Sequence, residues 1–157
     1  MEFEREYSRV GPVENRLPSP NRSLPIALMR ARESVMSPIR AMLLESGLTE
    51  QQWRVLRVLA EYGPQDATEV SEHAGLMMPS LTRIVKRMCE NGLITRVKDE
   101  TDGRRQTLSL TDAGHAMIEA NKDVALGIVN GFKERLGPEN YEILLDLLQA
   151  ISQRGEH

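Results

Sequence analysis

The spacing of apolar residues changes period within one short stretch of the chain. Leu81, Ile84, Val85 and Met88 recur at three- and four-residue intervals, as one apolar stripe of a helix does. Pro79 suits the first position of that helix, because its missing N–H would have had no partner there, and Asn91-Gly92 supplies a stop. Beyond the stop, Leu93-Ile94-Thr95-Arg96-Val97 and Gln106-Thr107-Leu108-Ser109-Leu110 alternate at period two, as strands do. The intervening Lys98–Arg105 is polar throughout and turns at Gly103. The stretch predicts a helix, a tight turn and a two-stranded hairpin.

Helical periodicity governs most of the remainder. Leu24, Leu28, Ala31, Val35 and Met42 share one face of a first helix, with Ser23 as N-cap and Gly47 as its end. Pro38 interrupts it and favours a kink, since its ring crowds the preceding turn and it has no N–H to donate. Thr49-Glu50-Gln51-Gln52 reads as a capping box opening a helix with Trp53, Leu56, Val58 and Leu59, which stops at Gly63-Pro64. Asp66-Ala67-Thr68-Glu69 is a second box, opening a short helix that ends at Gly75. Short helix, Gly-containing turn and second helix together make a helix-turn-helix. Thr111 caps a long helix carrying Met117, Ile118, Val124, Ile128, Val129 and Phe132. Gly137-Pro138 then separates a last helix bearing Tyr141, Leu144, Leu145, Leu148 and Ile151.

The fold class expected is mainly α with a small β wing: a winged helix-turn-helix domain plus a helical dimerisation domain. The terminal helices are too apolar for one small lobe to hide, which points to association. The domain plan is a mobile arm over 1–22, a dimerisation helix over 23–47, the winged helix-turn-helix over 48–110 and C-terminal dimerisation helices over 111–157. Two wings would then meet two half-sites of a near-palindromic operator.

Charge sharpens this picture. The net charge of −3 argues against a nucleic-acid partner by itself, yet Leu81–Arg105 holds seven basic residues against four acidic ones. From Gln106 onward there are four basic residues and eight acidic. Phosphate responds to the local field rather than the sum. Arg83, Lys86 and Arg87 occupy the polar side of the predicted helix, with Ser80 and Thr82 near its start, so the helix is shaped to enter a major groove. Lys98, Arg104 and Arg105 border or sit on the hairpin loop, where they can reach phosphates or a narrow minor groove. The alternative for the helix is a solvated face; for Arg104 and Arg105 it is a surface pair with Asp102, worth little for folding.

Composition narrows the class. At 40% hydrophobic and 27% charged the chain fits a globular protein, and with only 4% aromatic residues its aliphatic core favours helices. One cysteine excludes an internal disulfide. No apolar run approaches a bilayer-spanning length and no signal peptide opens the chain, so a cytoplasmic location with no membrane partner is expected. His73, His115 and His157 lack metal-ligand spacing. No phosphate loop, nucleophile elbow or paired catalytic carboxylates occur, so neither enzyme, metal nor cofactor is expected.

With these pieces in place, the chain resembles the MarR family of winged helix-turn-helix regulators over roughly Leu24–Ser152. Asp102-Gly103-Arg104 followed by Leu110-Thr111 carries the resemblance most specifically, and Gly92-Leu93-Ile94 adds to it. The match implies that Arg104 is a minor-groove arginine steadied by Asp102. Leu24–Glu61 and Pro79–Thr82 look like a branch that represses degradation of homoprotocatechuate and 4-hydroxyphenylacetate. The implied protein is a homodimeric repressor of double-stranded DNA, released by a small aromatic acid. Arg30 and Arg32 are candidates for its carboxylate, Ser34 for a ligand oxygen and Trp53 for a wall against the ring, with an ordinary core role as Trp53's alternative. Two rivals stand beside this reading: a redox-sensing repressor acting through Cys89, for which a partly buried structural thiol is the better account, and a winged-helix module used only for protein assembly.

Overall fold

A computed structural model describes residues 16–153. Most of the arm expected over 1–22, and His157, therefore lie outside the described residues. The end of that arm forms a single 3-10 turn, Pro20–Arg22. The chain separates into two compact units, Met1–Ser37 and Pro38–His157.

In the first unit the 3-10 turn leads into α1 (Leu24–Ser46), whose later turns belong to the second unit. Arg30 Nη1 reaches back to Asn21 Oδ1 at 3.4 Å. The helix runs on through Pro38, although Pro38 cannot supply the usual N–H to the carbonyl four residues earlier.

The second unit continues with α2 (Glu50–Tyr62), β1 (Gln65–Asp66), α3 (Ala67–Ala74), α4 (Met78–Glu90), β2 (Ile94–Lys98), β3 (Gln106–Leu110), α5 (Asp112–Leu136) and α6 (Pro138–Ser152). Both capping boxes form as expected. Thr49 Oγ1 accepts the Gln52 N–H while Gln52 Oε1 accepts the Thr49 N–H, each at 3.1 Å. Asp66 and Glu69 do the same at 2.9 and 3.0 Å. Gly75 closes α3 in the left-handed conformation, φ 62°, ψ 42°. That geometry lets the Leu76 N–H reach Ser71 O at 3.0 Å and turns the chain into α4.

Three details differ from the periodicity. Helix α4 opens at Met78, so Pro79 is its second residue, not its first. Strand β2 takes in Lys98 and leaves out Leu93, because the Leu93 N–H caps the end of α4 on Met88 O at 3.0 Å. A third strand is also present. The two residues of β1 pair antiparallel with β3, giving the order β1-β3-β2. A two-residue strand has no period to detect.

Val55, Leu56, Val70, Leu81, Met88, Ile94 and Leu108 are fully buried and join α2, α3, α4 and the sheet into one core. Each such side chain contributes about 1.5–3 kcal/mol by leaving water. The late turns of α1 add Met42 and Leu43, and α5 adds Met117 and Ile118 at the margin. The other face of the terminal helices is uncovered. Val124, Leu126, Leu147 and Ile151 are each more than half exposed.

Candidate nucleic-acid interface

Helix α4 buries Leu81, Val85 and Met88 and turns Thr82, Arg83, Lys86 and Arg87 outward, all exposed. The apolar stripe thus aims the basic face. Ser80 is half-buried. It lines a groove of about 720 Å³ together with Arg83 and Arg87 on one side and Gln51 of α2 and its N-cap Thr49 on the other. Thr82 is more committed than its position suggested, because its hydroxyl donates to Met78 O at 3.0 Å, one turn back. Its oxygen lone pairs stay available as acceptors.

The wing is built by five residue pairs between β2 and β3, from Ile94↔Leu110 to Lys98↔Gln106. Lys98 lies exposed at its outer end. At the tip, Asp102 Oδ1 accepts the backbone N–H of Arg104 at 3.1 Å, which steadies the arginine through its backbone as the resemblance implied. Asp99 organises the same turn by accepting the Thr101 N–H at 2.9 Å and the Thr101 hydroxyl at 2.8 Å. Those two bonds, the backbone one first, hold the Asp99 carboxyl below its ordinary value of 3.8, and the nearby Arg105 charge adds to the effect.

Arg104 and Arg105 part company. Both are exposed, but Arg105 Nη2 pairs with Asp66 Oδ2 at 3.2 Å. The Arg105 partner is therefore Asp66 and not Asp102, whose carboxylate is engaged by backbone. Asp66 acts twice, since one of its oxygens caps α3 and the other ties the wing to that helix. Arg104, Arg105 and Met78 line a second groove, of about 500 Å³, with Asp66 and Thr68. The side chain of Cys89 is half-buried and packs against the core.

Several positioning side chains escaped sequence reasoning. Arg54 of α2 donates to Ala74 O at 2.9 Å and holds the helix-turn-helix corner, and Ser71 Oγ donates to Leu76 O at 2.5 Å in the same corner. Thr111, foreseen only as a cap, does more. Its hydroxyl accepts the Gly114 N–H at 3.1 Å and donates to Gly92 O at 2.6 Å, and its own N–H reaches Leu93 O at 3.1 Å. One residue thus joins the end of α4, the root of the wing and the start of α5.

Of the candidate ligand residues, Trp53 is buried and contributes to the core. It also borders a groove of about 460 Å³ between α2 and α5, lined further by Arg57, Glu61, Ile118, Lys122 and Leu126. Arg57 and Lys122 went unremarked. The one available signal for Arg57 was its spacing four residues after Trp53, which puts both on one side of a helix. Arg30, Arg32 and Ser34 are exposed on α1.

An exposed basic helix following a Gly-closed corner, and a hairpin with an exposed arginine at its tip, define a winged helix-turn-helix of the DNA-binding class. The pattern that characterises the MarR family matches residues 48–105. The HTH-type transcriptional regulator FarR of Neisseria gonorrhoeae is 36% identical over 135 residues, which span 86% of this chain and 92% of FarR. The homoprotocatechuate degradative operon repressor of Escherichia coli is 44% identical over 95 residues, 60% of this chain and 64% of that repressor. Among solved structures, NadR in complex with 4-hydroxyphenylacetate superposes with a TM-score of 0.77 at 35% identity, over 88% of this chain and 98% of NadR. The chain belongs to the MarR family of transcriptional regulators. Among the described residues, no helix is long and apolar enough to cross a membrane.

Proposed function

We propose that the chain is a homodimeric, cytoplasmic, non-catalytic repressor that grips a near-palindromic operator and is released by a small aromatic carboxylate. The observation that carries DNA binding is the exposed basic face of α4 set beside the exposed Arg104 of the wing. Ser80, Thr82, Arg83, Lys86, Arg87, Lys98 and Arg104 supply the contacts, and Arg105 contributes through the donors left free by Asp66. Residues 48–110 form the DNA-binding part. The uncovered apolar face of α5 and α6 supports dimerisation through 111–157, with residues 23–47 as the third dimer helix and 1–22 as an arm.

The groove beside Trp53 supports the effector assignment. An indole wall and the Arg57 guanidinium suit an aromatic ring bearing a carboxylate, while Lys122, paired with Glu119 at 3.9 Å, and Glu61 complete the lining. The NadR complex with 4-hydroxyphenylacetate and the homoprotocatechuate operon repressor favour a hydroxyphenylacetate-type acid. Independently of that groove, the exposed Arg30, Arg32 and Ser34 of α1 are candidates for an effector's oxygens. Release requires the ligand to prefer the form that fits DNA poorly, and roughly a hundredfold loss of operator affinity needs about 3 kcal/mol of such preference.

The test has three parts. The protein should elute as a dimer, shift a duplex from its own upstream region, and melt higher with 4-hydroxyphenylacetate. Stabilisation should reach about 2.7 kcal/mol at a hundred times Kd. Arg32→Ala should bind DNA yet ignore the ligand; normal induction would remove Arg32 from the site. A monomer indifferent to duplexes at low salt would end the proposal.

A further inference from the structure

The start of α4 is apolar where the rest of its outward face is charged. Met77 is 76% exposed and Met78 43% exposed, and the exposed Pro79 follows them. Folding does not account for this. Leu76, immediately before, is buried in the core, as is Leu81 after it, while the two methionines stay outside. Nor does capping: Met77 sits at the N-cap of α4 and offers it no side-chain hydrogen bond, although Thr49, Asp66 and Thr111 cap α2, α3 and α5. A hydroxyl or carboxamide at that position would strengthen the helix by about 1 kcal/mol. Two long, flexible thioethers stand there instead.

Their place decides what they can touch. The N-terminal residues of a recognition helix meet base edges in the major groove. Met78 shares a groove with Arg104 and Arg105 of the wing, lined also by Asp66 and Glu69, so the helix start and the wing tip border one surface. In the major groove the apolar group on offer is the 5-methyl of thymine. A methionine side chain is unbranched and polarizable, and it adapts to such a small target.

Resting on the DNA-binding reading above, we infer that Met77 and Met78 are specificity-determining residues that read thymine methyl groups in each half-site. Arg83, Lys86 and Arg104 supply affinity through charge; the methionines add a preference for thymine over cytosine where the helix enters the groove.

The experiment removes only the methyl. A duplex is first selected by the full-length protein from a randomised library, and each thymine is then replaced singly by deoxyuridine. At one or two positions per half-site the wild type should lose about fourfold in affinity for each methyl withdrawn. Met77→Ala with Met78→Ala should bind the thymine duplex as weakly as the wild type binds the uracil one, and should no longer distinguish the two. Both side chains are exposed, so an unchanged melting temperature will show that the variant is folded. A wild type indifferent to uracil at every position, or a double variant that keeps the full discrimination, would overturn the inference while leaving DNA binding intact. Failure to select any duplex would overturn the DNA-binding reading, and this inference with it.

Discussion

Replacing Gly114 by alanine tests the junction on which the interface hangs. A Cβ there would overlap the carbonyl oxygen of Leu93 and come within 3.0 Å of Leu110 Cδ2. The first obstacle is backbone and cannot rotate away, so the start of α5 and the root of the wing must separate. Overpacking of this kind costs about 1–3 kcal/mol. The same carbonyl accepts the Thr111 N–H at 3.1 Å, and weakening that bond adds about 1 kcal/mol. Alanine's better helix propensity returns at most about 1 kcal/mol. The net loss is about 1–3 kcal/mol, a fall in Tm of roughly 2–12 °C for a chain of this size. Circular dichroism melts at one fixed protein concentration measure it, since a dimer's Tm depends on concentration. DNA affinity measured well below the transition should fall as well, because Leu93 joins α4 to β2. An alanine variant that melts with the wild type and binds DNA equally well would refute the close approach, and with it the role of Thr111 as the joint.

Three further outcomes follow from the same geometry. Asp66→Asn keeps a capping side chain and loses only the ion pair to the largely exposed Arg105, so it should cost less than about 1 kcal/mol; Asp66→Ala loses the cap too and should cost about 1 kcal/mol more in denaturant titration. Arg104→Ala should weaken binding to every duplex and reduce the slope of log affinity against log salt by roughly 0.9 for each phosphate no longer neutralised, and an unchanged slope would take Arg104 off the backbone. Asp99, whose folded carboxyl titrates below 3.8, stabilises the wing turn fully above that pH and loses the contribution as pH falls through the folded value; in Thr101→Ala, which loses the hydroxyl bond but keeps the stronger backbone one, the midpoint of the carboxyl carbon shift in an NMR titration should rise only part of the way back.

The helices of this protein were legible because their information is local. Thr49 with Gln52, Asp66 with Glu69, Gly75 and Gly137-Pro138 each act within one turn of chain, and the structure places the helix ends beside them. The apolar stripe of Leu81, Val85 and Met88 likewise determined which way Arg83 and Lys86 point, since a helix has only one face left once its core face is chosen. The family could be read from the wing for the same reason: Asp102, Gly103 and Arg104 are neighbours in sequence.

What only the tertiary structure decided involves partners far apart in the chain. Asp66 meets Arg105 across 39 residues, Arg54 reaches the carbonyl of Ala74, and β1 exists because β3 lies beside it. Arg57 and Lys122 join Trp53 only when α2 and α5 pack. No periodicity records such meetings, because they arise from the packing of elements whose separation along the chain leaves their relative position open. The sequence alone settled that a basic helix and a wing would exist and which face they would show; the packing of the wing beside α3 settled that Arg105 is held by Asp66.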